Sequence, residues 1–186
     1  MLMLASLWLP ILLAAVAVFF ASSLVHMVFK WHNADYRKLA NEDEVRAAIR
    51  KGDPAPGQYV LPHCLDGKDM QSPEIQQRFV EGPVGFLMLR ASGAPSMGPH
   101  LLKWFLLALA VSALTACLAS SVLASGASKH LVFHFFALST FLAYATGSVS
   151  DGIWKANPWS AVAKDLLDAA LYAVVSAAIF AWLWPR

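Results

Sequence analysis

Residues 163–184 read AKDLLDAALYAVVSAAIFAWLW. Past Asp168 no charge, Gly or Pro interrupts the stretch until Pro185. As a helix rising 1.5 Å per residue it would be roughly 33 Å long, enough to cross a hydrocarbon layer of ~30 Å. Three more runs of this kind cover about 3–27, 101–124 and 130–151. Together they account for a chain that is 58% apolar and 14% charged. Soluble domains carry about 45–50% apolar and roughly 25% charged residues. The expected fold is therefore an all-α membrane protein. Four transmembrane helices would form an up-down bundle, with a small α+β cytoplasmic insert between helices 1 and 2.

The expected division is helix 1 in 1–29, the insert in 30–100 and helices 2–4 in 101–186, the last three at about 101–124, 130–151 and 163–184. The first run is no signal peptide by pattern. No Lys or Arg precedes it, it exceeds a ~7–15-residue apolar core, and it ends at His26-Met27-Val28-Phe29-Lys30 without a small-residue cleavage site. Short connections, Ser125–Lys129 and Gly152–Val162, make the last three helices antiparallel neighbours.

Twelve of the fourteen Lys and Arg residues fall on one side of this topology, and only Lys129 and Arg186 on the other. The positive-inside rule then puts both termini outside and residues 30–100 in the cytoplasm of a bacterial-type inner membrane. The tryptophans agree: Trp8, Trp182 and Trp184 mark one interface, and Trp31, Trp104, Trp154 and Trp159 the other.

Residues 30–100 balance nine Lys and Arg against nine Asp and Glu, so neither a basic lipid-binding patch nor a nucleic-acid partner is expected. Asn41 and Glu44 have capping-box spacing and Gly52 a stop position. Ser72-Pro73 starts a second helix that Gly82-Pro83 ends. Extended stretches follow each helix, at Gln58–Leu61 and Val84–Leu89. Such a unit is small, and two strands alone are marginal in water.

Ionisable side chains in or near spans are the functional candidates. His130, Tyr144, Ser148 and Asp151 lie along one face of the third run. Asp165, Asp168, Tyr172 and Ser176 form a similar stripe on the fourth. The two stripes are expected to face each other as a polar seam of Tyr144, Asp151, Asp165, Asp168 and Tyr172, with the carboxylates joined by Lys155 and Lys164. The bland alternative is an interfacial cluster with Lys164–Asp168 as an i,i+4 pair. In the second run, Ala108, Ser112, Ala116 and Ser120 make a small-residue ladder suited to close helix packing. Weak metal candidates are His130 with His134, four apart on one face, and His63 with Cys64. His26 and His32 flank the inner interface and can approach each other in space. Cys64 and Cys117 show no pairing motif.

No catalytic constellation, phosphate loop or cofactor motif is present, so neither an enzyme nor a cofactor is expected. The sequence points first to a non-catalytic accessory, assembly or scaffold subunit, partnered by the bilayer and by other membrane subunits or itself. Behind it stand an ion- or solute-handling protein using Asp151, Asp168 and Tyr144, and a metal or haem binder through His130 and His134.

Overall fold

A computed structural model describes residues 4–64 and 66–186; the start of the first apolar run, at Met3, lies outside them. The chain is mostly helical and divides into two units, Met1–Tyr36 with Ser96–Arg186, and Arg37–Pro95.

In the first unit, helix α1 (Trp8–Ser23) is preceded by a 3-10 turn at Leu4–Leu7 and continues as a π-helical turn over Leu24–Phe29. Helices α4 (Gly98–Val122), α5 (Lys129–Trp154) and α6 (Trp159–Leu183) complete it. In the second unit lie α2 (Glu42–Lys51), β1 (Gly57–Leu61), α3 (Pro73–Glu81) and β2 (Gly85–Leu89). Four helical segments, Leu4–Phe29 and α4 to α6, are long and apolar enough to cross a membrane.

Helix α6 is the hub of the first unit. It packs on α5 and α1, while α1 also packs on α4. Of its apolar window 44% is buried, against 22–28% in the other three helices. Its buried positions are mostly small: Ala169, Ala173, Ser176, Ala177 and Ala181. Small side chains let backbones approach closely where lipid supplies no hydrophobic push. Outward faces carry the bulk instead, with Leu106, Leu114, Leu118, Leu138, Leu167 and Trp182 exposed. At one end of the unit Phe136 and Phe180 stack with centroids 3.8 Å apart and planes 6° apart, both fully buried.

The small-residue ladder of α4 is used within the chain. Ala108, Ser112 and Ala116 are buried, Ala108 in a cluster with Ala15, Val18 and Tyr172, and Ala116 in the one that holds Ala14. Ser120 is only partly covered, because the 3.6-residue period turns the face onward to Ala119. Between α4 and α5, Gly126 takes a left-handed φ of 79°, a conformation that costs other residues more. Its N–H donates to the Pro185 carbonyl at 2.9 Å. Ser128 caps α5 by accepting from the Leu131 N–H.

In the second unit β1 and β2 pair antiparallel, Tyr59 opposite Leu87 and Leu61 opposite Gly85. Ser72 caps α3 by accepting from Ile75 N–H, with Pro73 in the first turn. The expected Asn41 cap is not made: its side chain bonds no N–H of α2. Among the described residues of Arg37–Pro95 none is buried. Val80, Val84, Phe86 and Met88 are exposed.

Candidate functional site

The site forms where the end of α1 meets the start of α6. The π turn closes with Lys30 N–H donating to the Val25 carbonyl, five residues back. Such wide turns rotate the residues after them relative to an α-helix and recur at functional sites. Lys30 then takes φ 53° and stops the helix. Trp31–Asp35 follow as a 3-10 segment packed on α6. This reversal brings His32 back beside His26, their rings stacked with centroids 4.8 Å apart.

Asp168, one turn beyond Lys164 on α6, meets both rings. Its Oδ2 lies 3.0 Å from His32 Nε2 and 3.6 Å from His26 Nε2. On the far side of His32, Nδ1 lies 3.1 Å from Asp35 Oδ2, and Asp165 Oδ1 is 4.0 Å away. Lys164 Nζ donates to Asp35 Oδ1 and, at 2.9 Å, to the Trp31 carbonyl. Hydrogen bonding to Lys164, aided by its charge and by His32, holds the Asp35 carboxyl below its ordinary value, against the opposing pull of partial burial.

His32 therefore has a carboxylate on each ring nitrogen. A neutral ring carries its proton on one nitrogen only, so the tautomer decides which of the two carboxylates His32 donates to. A cation replacing the proton at Nε2 would meet the same geometry.

Beside His26 and Asp168 lies a cavity of about 310 Å³. His26, Trp104, Tyr144, Ser148, Asp165, Asp168 and Tyr172 line it, with Leu107, Ala143 and Ala169. The Tyr144 and Tyr172 rings are 5.4 Å apart, and both contact Trp104. Trp104 Nε1 donates to Ser22 Oγ at 2.7 Å, tying α4 to α1. Asp168 is 5% exposed. Its Oδ1 and the Tyr144 hydroxyl are buried without a hydrogen-bond partner among the described residues, while the equally buried Tyr172 hydroxyl faces the Ser22 side chain. Buried polar atoms are nearly always satisfied, so Asp168 Oδ1 and the Tyr144 hydroxyl, both beside this cavity, suit a water or an ion held there.

The structure thus brings Tyr144, Asp165, Asp168 and Tyr172 of the expected seam together. Asp151 stands apart, paired with Lys155 at 2.7 Å, and its carbonyl accepts from the Lys155 and Asn157 N–H groups. The i,i+4 pair of Lys164 with Asp168 does not form; Lys164 turns to Asp35 and leaves Asp168 to the histidines. His130 and His134 touch each other, Nε2 to Nε2 at 3.0 Å, exposed in the first turns of α5. In the other unit Cys64 Sγ meets the Asp66 carbonyl at 3.5 Å, and His63 is exposed. Among the described residues, His26, His32 and Asp168 are the group of three whose ligand atoms all lie within 4.8 Å of one another. Sequence reasoning missed Asp35, Ser22 and the inward role of Trp104, because nothing local to them points across to α6. No family model, curated protein or solved structure matches the chain.

Proposed function

We propose that this chain is a multi-pass membrane protein that binds and passes a cation, a proton or a metal ion, at the His26–His32–Asp168 site. The observation that carries this is Asp168, a carboxylate on a membrane-length helix that is almost wholly buried beside a cavity with one oxygen unpartnered. Ionisable groups so placed are expensive and mark ion or proton pathways. The exposed leucines around a core of alanine and serine support a lipid surround. The Lys and Arg distribution supports a bacterial-type inner membrane with both termini outside.

Reconstitution into proteoliposomes tests the reading. Wild-type chain is expected to carry proton or cation flux that Asp168→Asn abolishes. Equal flux in the two, or none in the wild type, removes the idea.

A second reading, an accessory subunit of a larger membrane complex, is favoured by the Arg37–Pro95 unit, which buries none of its described residues. Mild-detergent purification from the native membrane then recovers other membrane proteins with the chain. A monodisperse monomer recovered alone refutes it.

A further inference from the structure

We propose that His26, His32 and Asp168 are a binding site for one divalent transition-metal ion of the zinc class, an inference that deepens the cation-handling reading and rests on it. Two imidazole nitrogens with one carboxylate oxygen suit zinc, iron(II) or cobalt(II); magnesium and calcium take oxygen ligands. Donors at ~2.0–2.1 Å from a tetrahedral ion are about 3.3 Å apart. Here the two Nε2–Oδ2 separations, 3.0 and 3.6 Å, bracket that spacing, and all three donor atoms lie within 4.8 Å of one another.

The surroundings are built as such sites are. A metal-bound histidine usually donates its other ring N–H to a carboxylate, which fixes tautomer and orientation. Asp35 stands at 3.1 Å from His32 Nδ1, and Lys164 in turn holds Asp35. An ion is bound by the Nε2 lone pair of the His32 tautomer whose Nδ1–H donates to Asp35, and any proton on Nε2 leaves to solvent. Three protein donors leave a fourth position open, and the cavity with the unpartnered Asp168 Oδ1 lies beside them. His26 is half exposed, giving an ion an approach.

The exposed His130–His134 pair could capture metal by itself, so the test is made on the full-length chain in detergent with both changed to alanine. Zn²⁺ is expected to bind at one per chain by competition titration, and Co²⁺ to give a visible absorption band. His26→Ala and His32→Ala each weaken Zn²⁺ at least 100-fold, and Asp168→Asn at least tenfold. Should these variants fail to fold, X-ray absorption of the Zn²⁺-loaded His130/His134 double variant decides: two imidazoles support the site, and none or one overturns it. Absence of Zn²⁺ binding, or binding indifferent to all three residues, overturns it too. No metal binding with flux still abolished by Asp168→Asn removes the metal and leaves the cation-handling reading. Metal bound at His26, His32 and Asp168 with flux unchanged by Asp168→Asn does the reverse.

Discussion

Replacing Phe136 by alanine removes one half of the stacked pair with Phe180, at a position with no solvent or lipid exposure. The ring also meets Trp184 at 5.9 Å. In a water-soluble core such a change costs about 3–5 kcal/mol, part of it the lost transfer from water and part the cavity left behind. Between membrane helices the transfer part largely falls away, because the separated helix keeps its side chain in hydrocarbon. The cavity part remains: roughly 100 Å³ at ~24 cal/mol per Å³ is about 2.4 kcal/mol. Lost ring–ring contact adds ~0.5–1.5 kcal/mol, for a total of about 3–4 kcal/mol. The assay is reversible unfolding in mixed micelles, titrated with a denaturing detergent and followed by tryptophan fluorescence. Leu138, 64% exposed on the same helix, is the control; Leu138→Ala is expected within about 0.5 kcal/mol of wild type. Twelve residues of α6, about 18 Å, separate Phe180 from Asp168, so Zn²⁺ affinity is expected to stay within about twofold of wild type. A Phe136→Ala chain as stable as wild type, or a Leu138→Ala chain equally damaged, refutes the packing described.

Three further changes probe the rest of the first unit. Asp35→Asn keeps an acceptor for His32 Nδ1 but drops the charge, and is expected to weaken Zn²⁺ by about 10–100-fold; unchanged affinity in the competition titration denies Asp35 its orienting role. Lys164→Met removes the ammonium that holds the Asp35 carboxyl down. A carboxyl lowered on folding contributes stability above its unfolded value, near 3.8, and loses it as pH falls through the folded value. The melting temperature of Lys164→Met is thus expected below wild type from about pH 6 to 5, with the gap closing below ~pH 3.8; a gap that stays constant counts against the pair. Where the last turn of α5 packs on the first turn of α6, a Cβ on Gly152 would lie 3.0 Å from Val162 Cγ2. Gly152→Leu is expected to cost about 1–3 kcal/mol in the micelle assay, and wild-type stability there would place that hairpin wrongly.

The four long helices were legible because spanning length and lipid composition are written locally, residue after residue. The same holds for the Ser72-Pro73 start and the Gly82 stop of α3. Tyr144 and Tyr172 were placed face to face by the helical period alone. What escaped was non-local or energetically close. An i,i+4 ion pair is worth ~0.2–0.5 kcal/mol, too little to keep Lys164 on Asp168 once Asp35 and the Trp31 carbonyl offer themselves. A lysine at φ 53° carries no sequence signal, yet Lys30 makes the reversal that returns His32 to His26. Asn41 and Glu44 had the right spacing but lost their cap to a backbone that turns otherwise.

His32 and Asp168 are 136 residues apart in the chain, and that separation sets a clock. A ribosome adding ~5–20 residues per second needs about 7–27 s between the two. Throughout that interval the turns that follow α1 hold two imidazoles and Asp35 with nothing from α6 to answer them. Their partner arrives only with α6. The site thus cannot close before α6 has been made, and a chain truncated ahead of α6 leaves both histidines without Asp168.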